Sequence, residues 1–132
     1  MKKGIILIGK ANTGKSRLAK LLMAGKKVVS LNGRSNDLFK SHFTFMTCEN
    51  DTEAIHFEDL LNYNEHLPRL FNFITDGIVV DKKHQKPFTI FPQIIVTINT
   101  SIANLEISKS LEHRFDIFEL SACNQNYYPL NK

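Results

Sequence analysis

The sequence contains no apolar run that approaches the roughly 20 residues a helix needs to cross a bilayer, so no membrane partner is expected. Its opening, Met1-Lys2-Lys3 before Ile5-Ile6-Leu7-Ile8, is too short in apolar length for a secretory leader, because the run stops at Gly9-Lys10. Cysteine is scarce as well. Cys48 and Cys123 stand far apart and outside any Cys-x-x-Cys or His/Cys cluster, which argues against a zinc site and against a disulfide framework. A reducing, intracellular setting is the expectation. Arginine occurs only at Arg17, Arg34, Arg69 and Arg114, widely dispersed. Internal repeats, low-complexity stretches and linkers are missing, and only the tail from Asn124 reads as loose.

What is present is ordinary for a globular chain, with 42% hydrophobic and 23% charged residues. The 132 positions suffice for one domain with a real core and are too few for two, so residues 1–132 read as a single domain. The formal charge of +4 leans toward an anionic partner without deciding for one.

Apolar spacing predicts the elements. Gly4 to Gly9 reads as a buried strand, and Leu18, Leu21 and Leu22 after Gly14 have helical spacing, with Gly25 at the helix end. Val28 to Leu31 reads as a strand closed by Asn32-Gly33, Asn36 to Phe39 as a short helix, Phe43 to Met46 as a possible strand, and Ala54 to Phe57 as a firmer one. Leu67, Leu70, Phe71 and Ile74 predict an amphipathic helix over Glu65 to Ile74, entered near Pro68. Ile78-Val79-Val80 and Phe88-Thr89-Ile90 flank a basic turn and read as a hairpin. Ile94 to Ile98 is the clearest buried strand, Ile107 to His113 a helix, and Phe115 to Leu120 a last strand. Strands alternating with helices imply an α/β fold with a mostly parallel central sheet flanked by helices.

Gly9-Lys10-Ala11-Asn12-Thr13-Gly14-Lys15-Ser16 matches G-x-x-x-x-G-K-[ST] between a predicted strand and a predicted helix, the context the phosphate loop requires. Glycines let successive backbone N–H groups turn inward around an anion, and the helix N-terminus adds its positive dipole end. Lys15 then reaches the β- and γ-phosphates of ATP and Ser16 ligates Mg²⁺; Lys10 carries no motif role, and the nucleotide segment runs on through Arg17. A chance match in a chain of this length has odds on the order of 1 in 200, so a glycine-rich turn without a ligand is the weaker reading.

Glu58-Asp59 follow a strand, at the edge where ligands of open α/β sheets gather. One carboxylate can hold Mg²⁺ while the other orients and deprotonates the attacking water, and the residues leave open which does which. A solvated acidic turn is the bland alternative. His56 reads as a hydrogen-bonded core histidine rather than a catalyst. Asn99, closing the most apolar strand, can bond the γ-phosphate or the attacking water, or simply cap a turn.

The block Asp76-Gly77-Ile78-Val79-Val80-Asp81-Lys82-Lys83-His84-Gln85-Lys86, leading into Ile90-Phe91-Pro92-Gln93-Ile94-Ile95-Val96-Thr97-Ile98-Asn99, closely resembles the superfamily 3 helicases of the AAA+ class found in polyomavirus large T, papillomavirus and parvovirus proteins. Phe57-Glu58-Asp59 resembles that family's acidic motif, and Ser110-Leu111-Glu112-His113-Arg114-Phe115 its arginine-finger segment. The resemblance covers about Ile5 to Leu120; Ile98 departs from the Ser or Met common before the family's asparagine.

It implies a P-loop NTPase of AAA+ type with a protruding basic hairpin before the sensor strand, and a homo-oligomeric, hexameric ring with ATP and Mg²⁺ between neighbours. Lys15, Ser16, Glu58, Asp59 and Asn99 are then contacts from the nucleotide's own subunit. Arg114 reaches the next subunit's γ-phosphate, against the bland reading of a helix-terminal arginine satisfying carbonyls or paired to Glu112. Lys82, Lys83, His84 and Lys86 form the tip that grips single-stranded DNA, with RNA possible; without the family likeness they read as a solvated turn. No room is expected for an origin-binding domain or an oligomerisation collar, so origin recognition is expected from a separate protein. A small nucleotide or metabolite kinase also uses a phosphate loop, but it needs an arginine-rich lid that four scattered arginines do not make. A nucleotide-gated binding module without motor activity is the other alternative.

Overall fold

The computed structural model describes residues 3–39 and 45–121. Five strands, β1 (Gly4–Gly9), β2 (Val28–Asn32), β3 (Ala54–Glu58), β6 (Gln93–Asn99) and β7 (Phe115–Glu119), form one sheet in the order β2-β3-β6-β1-β7. Every neighbouring pair in it is parallel. β4 (Ile78–Val80) and β5 (Phe88–Ile90) make a separate antiparallel hairpin. Helix α1 (Lys15–Leu22) joins β1 to β2, and α4 (Lys109–Arg114) leads into β7.

The unbroken apolar runs of β1 and β6 follow from burial on both faces, which a parallel sheet covered by helices requires. Ile6 and Ile8 of β1, with Ile94, Val96 and Ile98 of β6, enter one core with Ile55, Phe57, Leu70 and Phe115. The alternate residues Leu7 and Ile95 enter the other, against Ala19 and Met23 of the α1 region. Cutting one of these buried isoleucines back to alanine should cost about 2–5 kcal/mol.

The stretch expected as one helix from Glu65 to Ile74 begins earlier and is divided. It runs as α2 (Tyr63–His66), a 3₁₀ turn (Leu67–Leu70) and α3 (Phe71–Asp76). Pro68 has no N–H to donate four residues back, and the segment tightens into 3₁₀ geometry around it. The helix expected from Ile107 starts instead at Lys109, because Ser108 caps it by accepting from the Leu111 N–H. Asn36 to Phe39 are turns and not a helix. Phe45 and Met46 likewise lie in a turn and not a strand, while Phe43 and Thr44, Cys123 and the tail from Asn124 lie outside the described residues. Among the described residues no helix is long and apolar enough to cross a membrane.

The residues singled out in the sequence fall at the two ends of the sheet. At the carboxyl end Gly9 of β1 is level with Asn99 of β6, and Glu58 of β3 with Asn32 of β2. At the amino end Gly4 of β1 is level with Phe115 of β7. The chain order reverses beside β1, since β2, β3 and β6 lie to one side and β7 to the other. Ligands of open α/β sheets gather at the carboxyl ends next to such a reversal.

Candidate nucleotide site

The phosphate-loop sequence forms a tight surface turn between β1 and α1. Asn12 (φ +64°) and Gly14 (φ +88°) take left-handed backbone. A side chain on Gly14 would meet open space, so the backbone angle is what requires glycine there. Gly9 is needed for closeness. A Cβ on it would collide with the Leu120 carbonyl oxygen and stand 2.8 Å from Thr13 Oγ1.

Thr13 Oγ1 donates to the Lys10 carbonyl at 2.8 Å, and Lys15 Nζ donates to the same oxygen at 2.8 Å and to Thr13 Oγ1 at 3.3 Å. Lys10 itself is exposed, but its carbonyl is the pin of the loop. Lys15 is only 7% exposed. Burial lowers its pKa from the usual lysine range, and the charge of Asp59 pulls it partly back. Its two hydrogen-bond acceptors are neutral, and among the described residues it has no ion-pair partner. Gly14, the N-cap of α1, offers no side-chain acceptor to the helix's first N–H groups, and the first turn holds no acid. A buried ammonium and an uncapped helix start together make a place that suits an anion. Ala11, Asn12, Ser16 and Arg17 lie exposed around it.

Glu58 ends β3 with its side chain 54% exposed, and Asp59 turns the chain with φ +51°. That turn is held from two sides. The Glu58 carbonyl accepts from Gly33 N–H at 2.7 Å, and the Gly33 carbonyl accepts from Leu61 N–H at 3.0 Å. From the other side, Asp59 N–H donates to Thr97 Oγ1 at 3.1 Å and Leu60 N–H to the Thr97 carbonyl at 3.0 Å. His56, 4% exposed, places Nε2 3.1 Å from the same hydroxyl and Nδ1 3.8 Å from Glu58 Oε2. Burial lowers the pKa of His56, against the pull of Glu58 and Asp59. It is the hydrogen-bonded core histidine that its sequence context predicts.

Ser16, Glu58 and Asp59 offer a hydroxyl and two carboxylates. Such hard oxygen donors suit Mg²⁺, which is usually held by one or two carboxylates and substrate phosphates while keeping several waters. Among the described residues no group of three or more His, Cys, Asp or Glu gathers as a metal cluster. Cavities of about 340 and 300 Å³ open in the loops beyond β2 and β3, around Asn62, Tyr63, Gly33 and Ser35, and not over the phosphate loop.

The remaining predicted residues stand at the other end of the sheet. Arg114 closes α4 just before Phe115, roughly 16 Å along β1 from Gly9 at the usual rise per strand residue. Its Nη1 donates to the Ser110 carbonyl at 3.3 Å, its guanidinium lies 5.0 Å from the Phe71 ring centroid, and its buried Nε has no hydrogen-bond partner. The hairpin also belongs to the amino end, since β5 passes through Phe91-Pro92 into the start of β6, where Gln93 Nε2 donates to the Lys3 carbonyl at 2.7 Å.

Lys83, His84 and Lys86 are exposed at the hairpin tip. Lys82, expected with these three at the gripping tip, does not share their exposure. Its side chain is 12% exposed and pairs with Glu49 at 2.7 Å, so its charge anchors the hairpin to the segment before β3. Sequence reasoning also passed over Thr97. Its signal was a polar residue inside the buried Ile94–Ile98 run, matched by His56 inside the buried run of β3.

No family model matches the sequence, and no curated protein matches it. Solved structures do. The C-terminal region of NrS-1, in an apo form, superimposes with a TM-score of 0.69 at 23% identity, over 97% of this chain and 32% of that one. NtrX from Brucella abortus, solved in complex with ADP, gives 0.59 at 14% identity over 91% and 32%. The JCV helicase, solved with a bound thiazolopyridine compound, gives 0.57 at 19% identity over 90% and 36%. The chain therefore spans about a third of the length of each. At these identities the likeness establishes the fold: this chain has the P-loop α/β fold that the JCV helicase also has, the fold implied by the resemblance to superfamily 3 helicases.

Proposed function

We propose that this chain is the ATP-hydrolysing core of a nucleic-acid motor of the superfamily 3 helicase kind. The observation that carries the reading is the gathering of the phosphate loop, Glu58-Asp59 and Asn99 at one end of the sheet around the buried, unpaired charge of Lys15. Lys15 exchanges its neutral acceptors for the β- and γ-phosphate oxygens of ATP, and the loop's backbone N–H groups and the α1 start take up the rest of the negative charge. Ser16, Glu58 and Asp59 would hold Mg²⁺, which supplies charge neutralisation between the phosphates. One carboxylate of the acidic pair accepts the proton of the attacking water, and Asn99 holds that water or the γ-phosphate.

Arg114 lies too far from its own phosphate loop to serve it, and in this reading it completes the site of the next subunit. That head-to-tail use of two different surfaces is what a closed ring, hexameric in this proposal, requires. Lys83, His84 and Lys86 grip single-stranded DNA, or RNA, through its phosphates. Origin recognition is then the task of another protein.

The test is ATP hydrolysis with and without single-stranded DNA, beside a Glu58→Gln, Asp59→Asn double variant. Hydrolysis accelerated by DNA and abolished in the variant, with nucleotide still bound, is expected. Turnover that needs a phosphate acceptor substrate would assign a kinase, and undiminished turnover in the variant would reduce the carboxylates to a solvated turn.

A further inference from the structure

Thr97 lies on β6 two residues before Asn99, and it is 2% exposed. It occupies the register at which the ladder between β3 and β6 stops: the last paired residues are Phe57 and Val96. Beyond them the chain turns away at Asp59, in left-handed backbone that non-glycine residues adopt only when their surroundings hold them there. Thr97 supplies that hold twice, through its hydroxyl to the Asp59 N–H and through its carbonyl to the Leu60 N–H. The hydroxyl is itself braced, since His56 Nε2 stands 3.1 Å from it on the adjacent strand. With one lone pair of Oγ1 taken by the Asp59 N–H, the hydroxyl proton is free to point at Nε2, a bond that fixes its rotor.

We infer that Thr97 is a positioning residue for the acidic pair: its hydroxyl, braced by His56, sets the backbone of Asp59 and ties it to the strand that ends in Asn99. The inference rests on the ATPase reading and adds to it a mechanical link. Asp59 and Asn99 become two ends of one rigid connection through Thr97, so a shift of either at the γ-phosphate is felt by the other. No such link is needed if Thr97 serves only to satisfy a buried polar group.

Two variants separate these cases. Thr97→Val keeps the shape and removes the hydroxyl, and Thr97→Ser keeps the hydroxyl and removes the methyl. In amide hydrogen exchange, Thr97→Val should lose protection at Asp59 while keeping it at Leu60, whose partner is a backbone carbonyl. In steady-state ATPase, Thr97→Val should lower kcat by about 10- to 100-fold, the range typical of lost supports behind metal-ligating carboxylates, with ATP affinity within about two-fold. Thr97→Ser should restore kcat to within about three-fold of the parent. Parental kcat in Thr97→Val, or equal loss in both variants, would overturn the inference while leaving the ATPase reading intact. A parent chain that hydrolyses no ATP would overturn the ATPase reading itself and this inference with it. Loss of protection at Leu60 together with Asp59 would mean that the strand end has collapsed, and would overturn the specific role of the hydroxyl.

Discussion

The two ends of the sheet are made in different ways. At the carboxyl end, the candidate site is built of short turns: Asn12 and Gly14 are set by their own left-handed backbone, while Gly9 and Asp59 are set by the strands alongside, through the Leu120 carbonyl and Thr97. At the amino end, the parts are joined by contacts between distant residues. Lys82 meets Glu49, Gln93 meets the Lys3 carbonyl, and Arg114 lies over Phe71. In the proposed function, the difference would suit a site that one subunit forms and another completes, with the loop as a fixed cradle and Arg114 seated on Phe71.

That comparison breaks most sharply at Arg114. Arg114→Ala should bind ATP nearly as the parent does and hydrolyse it about 10³-fold more slowly or worse, because the guanidinium acts as charge develops on the transferred phosphoryl group. Mixed with Lys15→Ala, which keeps the arginine and loses the loop's charge, it should recover part of the activity in a steady-state ATPase assay. No recovery although the two variants co-assemble would leave Arg114 with the contacts it makes in its own chain, to Ser110 and Phe71.

A smaller effect is expected at the hairpin. Lys83→Ala with His84→Ala should weaken single-stranded DNA binding several-fold and flatten its salt dependence by about 0.7 in logarithmic slope for each phosphate the tip no longer neutralises. ATP affinity should stay within about two-fold, since the phosphate loop lies at the other end of the sheet. Fluorescence anisotropy across a salt series measures both the affinity and the slope. The smallest effect belongs to Lys82. Its partner Glu49 is 66% exposed, which screens the pair, so Lys82→Ala should lower Tm by only about 2–5 °C in a thermal melt.

The same contrast explains what could be read from the sequence. β1 and both hairpin strands were legible to the residue, and β3 and β6 to within a residue at either end, because runs buried on both faces are unbroken and the hairpin is bounded by its polar turn. The phosphate loop was legible because its residues stand at fixed spacing between a strand and a helix, although the demand on Gly9 comes from the distant Leu120 carbonyl. Helix edges were not, since Pro68 redistributed one helix and Ser108 started another late. The pairing of Lys82 with Glu49 spans 33 residues and leaves no local trace, and neither does the meeting of Thr97 with Asp59 across 38. Asn36 to Phe39 carry turn formers, and turns are what they form.

Everything at the carboxyl end turns on whether the buried charge of Lys15 waits for a polyphosphate. Isothermal titration of ATP with Mg²⁺ into the parent chain and into Lys15→Ala measures this directly. Removing that charge-assisted hydrogen bond, worth roughly 1.5–3 kcal/mol, predicts affinity about 10- to 150-fold weaker in the variant. Equal affinity in the two proteins would contradict the nucleotide site and, with it, the motor reading.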